Sequence, residues 1–200
     1  MRILGVDPGT RLTGYGCIDQ LTNKIHHVTH GTLRVLDPNA ANLAPLEDRL
    51  LLIYEGLSKI IQEFKPDVLV VERVFFAKNA NSALKLGQAR GAILLTGKIH
   101  SLSIAEYSAK EVKRAVVGNG QADKQQVASI VQLLVGKQVF ETFDASDGLA
   151  LAICHAQLLQ TKNKFRAADE LALQFFSKKR SKKKLSLAES LGHHLRIRKK

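Results

Sequence analysis

The sequence RILGVD (Arg2–Asp7), followed directly by Pro8 and Gly9, decides how the chain starts to fold. Its apolar run is typical of a short buried strand, which the Pro-Gly pair ends. The segments Tyr15–Gln20 and Ile25–Val35 predict two more strands, joined by a short turn. The chain therefore begins with a hairpin-like meander.

A second apolar run, VLVV (Val68–Val71), is typical of a central strand that is buried on both faces. It follows an amphipathic helix, which the spacing of apolar residues predicts from Leu46 to Phe64 and which Pro66 closes. Farther along, the pattern predicts a helix over Asn79–His100, a strand over Ser103–Tyr107 and helices over Ala109–Val117, 123–134 and 144–160. Strands with helices between them predict an α/β fold, a mixed sheet covered by helices.

Composition separates a nearly neutral body from a basic end. The 200 residues are 45% hydrophobic and carry a net charge of +12, enough for one domain with a sizeable core. Residues 1–160 hold 17 basic and 15 acidic side chains, whereas residues 161–200 hold 13 and 3. We therefore expect a folded domain over residues 1–160 and a basic tail over 161–200, partly disordered around Lys178–Lys184. Such a tail favours nucleic acid as the partner.

The same features exclude several classes of protein. Cys17 and Cys154 are too few for a disulfide framework and favour a reducing compartment. No apolar run approaches the ~20 residues that cross a bilayer. The N-terminal residues also lack the layout of a signal peptide. We expect a cytoplasmic protein that does not associate with membranes.

Four carboxylates stand at the ends of predicted elements. Asp7 and Glu72 each end an apolar strand, at the edge where open α/β sheets bind ligands. Asp144 and Asp147, spaced i, i+3, share one face of the first turn of a helix. Clustered carboxylates repel unless a cation neutralises them, and oxygen-only ligands suit Mg²⁺ or Mn²⁺. The pattern predicts a two-metal site that could hydrolyse a phosphodiester.

Each acid also has a simpler explanation. Asp7 could form a turn before Pro-Gly, and Glu72 could be an ordinary charge at a strand end. Asp144 could cap its helix, with Asp147 favoured by the helix dipole. None of these explains why acids end two of the most apolar strands. The joint pattern therefore favours a metal site.

Four segments resemble, in order and spacing, the motifs of the RuvC-type Holliday-junction resolvases. They are DPGTRLTGYG (Asp7–Gly16), VERVFFAKNANSALKLGQARG (Val71–Gly91), EVKRAVVGNGQADK (Glu111–Lys124) and DASDGLALAICH (Asp144–His155). The resemblance covers roughly residues 1–160. It implies a ribonuclease H-like fold, with a five-stranded mixed sheet flanked by helices on both faces.

The resemblance also implies an activity and partners. Such an enzyme is a crossover junction endodeoxyribonuclease of homologous recombination and DNA repair. It acts as a homodimer that nicks two symmetry-related strands of a four-way DNA junction. Its cofactor is Mg²⁺, two ions per subunit, for which Mn²⁺ can substitute. RuvA and RuvB, the branch-migration proteins, are the implied protein partners.

Carried over position by position, the family's catalytic residues and metal ligands are Asp7, Glu72, Asp144 and Asp147. Phe75 matches an aromatic residue that stacks on DNA near the crossover. Lys113 and Lys124 match basic residues near the scissile phosphate. Arg73 stands where a neutral residue is expected and could add a phosphate contact. Gly148 replaces an expected helix former such as alanine, which would loosen the first turn of its helix.

Read without the resemblance, these DNA-binding assignments are weaker. Phe75 could pack into the core, and both lysines could be solvated. Lys124 has the better physical case, since it lies at a predicted helix N-terminus, where free backbone N–H groups attract phosphate. His26, His27 and His30 lack acidic or cysteine partners at ligand spacing, so we expect surface or satisfied core histidines.

Other functions compete with junction resolution. One is a ribonuclease H-like nuclease that acts on RNA or on other branched nucleic acid. Another is a non-catalytic junction-binding module, which has no need of four clustered acids. The Asp7–Thr10 segment also resembles the phosphate loop of actin-like kinases, but that architecture needs two such domains. The small-residue helix 79–97 is a candidate dimer contact, with packing on its own sheet as the alternative.

Overall fold

A computed structural model describes residues 1–22, 24–35, 44–73, 79–136, 138–140, 142–166 and 168–170. Its strands form one sheet in the order β3-β2-β1-β4-β5. They are β1 (Arg2–Asp7), β2 (Leu12–Leu21), β3 (Lys24–Arg34), β4 (Val68–Arg73) and β5 (Ser103–Ser108). The sheet is mixed, because β1 pairs antiparallel with β2 and parallel with β4.

The described helices are α1 (Leu46–Phe64), α2 (Ala80–Ile99), α3 (Ala109–Val117) and α4 (Lys124–Val135), and residues 143–166 are also helical. We call residues 143–158 α5. Capping boxes start α3 at Ser108 and α4 at Asp123. The predicted bounds of α1 and α3 are confirmed. Strand β2 is longer than predicted, because residues 12–14 also pair with β3 and Gly14 pairs with β1.

Side chains of the central strands alternate between two hydrophobic cores. Leu4, Val6, Leu69 and Val71 face a core that includes residues of α1 and α2. Ile3, Val68 and Val70 face the other core, built with residues of α3, α4 and α5. This alternation is why the strands are apolar throughout. The predicted five-stranded mixed sheet with helices on both faces is confirmed.

Glycines let α5 rest on the backbone of the sheet. A Cβ on Gly5 would lie 2.1 Å from the carbonyl oxygen of Gly148, and one on Gly16 would lie 2.5 Å from the backbone nitrogen of Leu149. From the helix side, a Cβ on Gly148 would lie 2.6 Å from the carbonyl carbon of Tyr15. Gly148 therefore has a packing role, and the expectation that it loosens the first turn of the helix stays a prediction. The missing side chain allows close contact.

The chain divides into two compact units, Met1–Leu158 and Leu159–Lys200. In the second unit, residues 159–166 and 168–170 are helical, and Arg166 pairs with Glu170 at 3.2 Å. The basic segment Lys178–Lys184 lies outside the described residues. Among the described residues, no helix is both long and apolar enough to span a membrane.

We expect Gly5→Ala to lower the free energy of unfolding by about 3 kcal/mol, at the upper end of the range for overpacked cores. The added methyl group meets backbone that cannot rotate away. Gly97→Ala is the matched control, because its methyl group would meet the flexible side-chain end of Leu69. Its packing cost is offset by ~1 kcal/mol of helix propensity. Urea unfolding measures both, and equal losses would contradict the account of the α5 contact.

Candidate metal centre

Asp7 and Glu72 lie in one row of residues that crosses the sheet. Asp7, the last residue of β1, lies opposite Gly14 of β2. On its other side Val6 pairs with Val71 of β4, so Glu72 comes level with Asp7. Residues directly opposite each other project to the same face of a sheet. Asp7 follows Ile3 and Gly5 at two-residue spacing, and therefore projects toward α5, as Glu72 does.

Helix α5 supplies the other two acids. Carboxylate oxygens of Asp7, Asp144 and Asp147 all lie within 4.8 Å of one another. Glu72 shares a hydrogen bond with Asp7. The first turn of α5 is anchored by Ser146, whose hydroxyl donates to the carbonyl of Phe143 at 2.7 Å. The structure thus brings together the four acids that the sequence singled out.

The cluster is electrostatically unfavourable without a cation. Burial raises the pKa of the Asp7 carboxyl to about 8, and the charges of Glu72 and Asp147 add to the shift. Burial also raises the pKa of Glu72, whereas the charges of Lys124 and Lys113 oppose that rise. Without a cation, the raised pKa favours the protonated form of Asp7 near neutral pH. A donor set of carboxylates alone fits a hard divalent cation such as Mg²⁺ or Mn²⁺.

Two lysines lie beside the cluster of acids. Lys124, the first residue of α4, donates from Nζ to Oδ2 of Asp147 at 3.0 Å. This hydrogen bond raises the pKa of the Lys124 ammonium. Lys113 of α3 lines, with Asp7, Glu72, Lys124 and Asp147, a pocket of about 360 Å³. The lysines predicted near the scissile phosphate therefore lie beside the acids.

The other two residues predicted to contact DNA are Arg73, which is among the described residues, and Phe75, which is not. Arg73 donates from Nη2 to Oε2 of Glu111 at 2.7 Å. Glu111 belongs to the capping box of α3, where it also accepts from Ser108. Arg73 thus forms an ion pair at the start of α3, and its contact with a DNA phosphate stays a prediction. Phe75 lies outside the described residues, so its stacking role also stays a prediction.

Sequence reasoning missed residues that support the acids. Gly14 lies under Asp144, where a Cβ would be 2.0 Å from the Asp144 carbonyl oxygen. Tyr107, level with Glu72 on β5, hydrogen-bonds through its hydroxyl to Nδ1 of the buried His155 at 2.9 Å. The glycine spacing in DPGTRLTGYG was a signal for the first of these. The Tyr107–His155 pair has no comparable signal.

Comparison with known proteins supplies the family. Residues 3–155 match the family described as crossover junction endodeoxyribonuclease RuvC. The chain belongs to this family. A relative of that name from Syntrophotalea carbinolica is 53% identical over 156 residues, covering 78% of this chain and 94% of the relative. The Geobacter sulfurreducens relative is 47% identical over 167 residues, covering 84% and 99%.

Solved structures agree on the ribonuclease H-like fold. The chain is similar to the Thermus thermophilus RuvC solved in complex with a Holliday junction substrate, with a TM-score of 0.73 and 27% identity. That match covers 81% of this chain and 96% of the solved one. The yeast mitochondrial Holliday junction resolvase Ydc2 gives a TM-score of 0.62 at 14% identity, covers 84% and 85% of the two chains, and shows the fold alone.

We expect Asp7→Asn to stabilise the metal-free protein at neutral pH, because it removes a buried acid from a repulsive cluster. The folded-state pKa of Asp7, about 8, lies above its unfolded value of about 4. The folded state therefore binds more protons between these values, and the stability of the wild type falls as pH rises from about 4 to about 8.

Thermal melts in EDTA across this pH range measure the effect. The wild type should lose more stability with rising pH than Asp7→Asn does, and Mg²⁺ should stabilise the wild type more. Asp48→Asn, an exposed acid on α1, is the control and should follow the wild type. Parallel pH curves for the wild type and Asp7→Asn would contradict the electrostatic account.

Proposed function

We propose that this protein is a structure-selective endonuclease that resolves four-way (Holliday) DNA junctions in homologous recombination and repair. The observation that carries the proposal is the cluster of Asp7, Glu72, Asp144 and Asp147 in a chain of the RuvC family. The similar Thermus thermophilus protein was solved with a Holliday junction substrate. The reaction is metal-dependent hydrolysis of a phosphodiester, and we place it in the cytoplasm.

The four acids would hold two Mg²⁺ ions, with Mn²⁺ as a substitute. When bound, such ions activate a water and stabilise the leaving oxygen. Asp7 and Glu72 offer carboxylates from the rigid sheet, and Asp144 and Asp147 offer theirs from the first turn of α5. Asp7 must release its proton for full ionisation, which the positive charge of a bound ion favours.

Lys113 and Lys124 would contact the phosphates beside the scissile bond. Both line the pocket that contains Asp7 and Glu72, and Lys124 is mostly exposed. When DNA enters, the Lys124 ammonium can exchange Asp147 for a phosphate oxygen, because an exposed ion pair contributes little to stability. Phe75 would stack on a base near the crossover, and Arg73 would add a phosphate contact at the end of β4.

The protein would act as a homodimer, because a four-way junction has two equivalent strands to cut. Leu84, Leu95 and Ile99 of α2 are exposed apolar residues, and Gly87 and Gly91 lie between them with open space in front. On a helix these positions form one stripe, opposite the buried Ala89 and Ile93. This stripe is the candidate dimer contact. RuvA and RuvB would be the partners that move the junction.

The basic end would add affinity without selectivity. We propose that residues 1–160 form the nuclease domain and that residues 161–200 form a cationic, partly disordered tail, whose 13 basic side chains outnumber 3 acidic ones. Contacts between lysine and phosphate release counterions and depend little on DNA shape. Choice of the junction would therefore reside in the nuclease domain.

Asp7→Asn, Glu72→Gln, Asp144→Asn and Asp147→Asn should each lower junction cleavage about 1,000-fold, since a bound metal supplies several kcal/mol to such a reaction. Binding to the junction should survive or tighten, because each change removes a negative charge facing DNA. The measurement is mapped cleavage of a synthetic four-way junction, with binding followed by fluorescence anisotropy.

Glu55→Gln, an exposed acid in α1, is the matched control and should cleave as the wild type does. Linear duplex and RNA–DNA hybrid substrates test the choice of substrate. Near-normal cleavage by any of the four variants would remove that residue from the site. Equal cleavage of linear duplex would contradict junction selectivity.

We expect Leu95→Glu to convert the dimer into a monomer, because it buries a charge in an apolar contact. Sedimentation velocity at micromolar concentration measures the change. Leu133→Glu replaces an exposed leucine on α4, away from the stripe, and should leave the dimer intact. A wild-type protein that is monomeric and fully active would contradict the dimer proposal.

A further inference from the structure

His30 of β3 contacts Val139 and Phe140, which lie between α4 and α5, and His27 of the same strand contacts His30. Nε2 of His30 lies 3.2 Å from the carbonyl oxygen of Val139, and Nδ1 of His30 lies 2.8 Å from Nε2 of His27. The His30 ring also packs edge-on against Phe140, with ring centroids 5.1 Å apart. The His30–Val139 contact joins residues 109 positions apart in the sequence.

The hydrogen bonds restrict where the protons lie. A carbonyl oxygen only accepts, so Nε2 of His30 carries a proton and donates to Val139. Neutral His30 then accepts at Nδ1, and His27 donates from Nε2. The imidazole of His30 thus acts as a bridge from β3 to the segment before α5.

A second contact lies closer to the acids. The hydroxyls of Thr32 on β3 and Thr142 are 2.7 Å apart, in hydrogen-bond contact. Helix α5 begins at the next residue, 143, and Asp144 follows. Thr32 therefore restrains the chain at Thr142, two residues before the candidate metal ligand Asp144.

Thr32 belongs to the row of residues that builds the site. It pairs with Gly14 of β2, which in turn pairs with Asp7 of β1. Gly14 contacts the backbone of Asp144. The three residues of this row thus have three roles. Asp7 is a candidate ligand, Gly14 supports the backbone of a second candidate ligand, Asp144, and Thr32 holds the residues that precede Asp144.

We propose that Thr32 and His30 are positioning residues, which set where Asp144 lies relative to Asp7 by holding the segment before α5 against β3. The inference rests on the proposed function, since it concerns the metal ligands of the same site. Gly14 of β2 has no side chain, so it offers no side-chain hydrogen bond that would restrain the start of α5. The hydrogen bonds from β3 supply that restraint.

The test compares Thr32→Val with Thr32→Ser. Valine keeps the branched shape of threonine, so the strand and its packing are preserved, but it removes the hydroxyl. Serine keeps the hydroxyl. We expect Thr32→Val to raise the dissociation constant for Mn²⁺ about 10-fold, because losing a group that orients a metal ligand has an effect of this size. Thr32→Ser should bind Mn²⁺ as tightly as the wild type does.

Mn²⁺ binding is measured by electron paramagnetic resonance on the full chain without DNA. The Mg²⁺ concentration for half-maximal junction cleavage should rise by a similar factor for Thr32→Val, while junction affinity stays constant. His30→Leu should behave like Thr32→Val, and His30→Gln, which keeps a donor for Val139, should be closer to the wild type. His26→Leu, an exposed histidine of the same strand, is the control.

Melting temperatures separate positioning from loss of the fold. If Thr32→Val does not fold, the His30→Gln and His30→Leu pair decides by the same binding measurement. Wild-type Mn²⁺ affinity in folded Thr32→Val or folded His30→Leu would overturn the assignment of that residue. The wild type separates the two proposals: if it binds Mn²⁺ but does not cleave four-way junctions, the proposed function fails, whereas normal metal binding in the β3 variants alone overturns only the positioning role.

Discussion

The arrangement of the site depends on a contact between main chains. Helix α5 lies so close to β1 and β2 that side chains at Gly5, Gly14, Gly16 or Gly148 would overlap backbone atoms. Backbone atoms cannot rotate out of the way as side chains do, so the contact defines the height of the helix above the sheet. Two acids on the sheet and two on the helix are thereby held in one cluster.

The close approach of the four carboxylates causes electrostatic repulsion between them. Burial and neighbouring charges raise the pKa of Asp7 to about 8. Burial also raises the pKa of Glu72, although the charges of Lys124 and Lys113 oppose that rise. By contrast, capping boxes begin α3 and α4, and Arg2 makes two hydrogen bonds to the carboxylate of Asp19. The repulsion between the acids lies where a bound cation would relieve it.

Local patterns predicted most of the fold. The apolar spacing and Pro66 gave the bounds of α1, and acids at the ends of two apolar strands identified residues that the structure brings together. Contacts between distant segments were not predictable in this way. The partner of Arg73 and the Thr32–Thr142 contact depend on how elements pack, and a single sequence does not show this. The packing role of Gly148 was missed, because helix propensity is a local quantity and this packing is tertiary.

The order of the elements along the chain has a consequence for protein synthesis. Asp7 emerges from the ribosome long before Asp144 and Asp147, which emerge only when α5 is made. A growing chain that stops short of residue 144 has the central strands and lacks half of the carboxylate cluster. A nascent or prematurely terminated chain therefore cannot assemble the whole carboxylate cluster, which forms only when the domain that contains α5 folds.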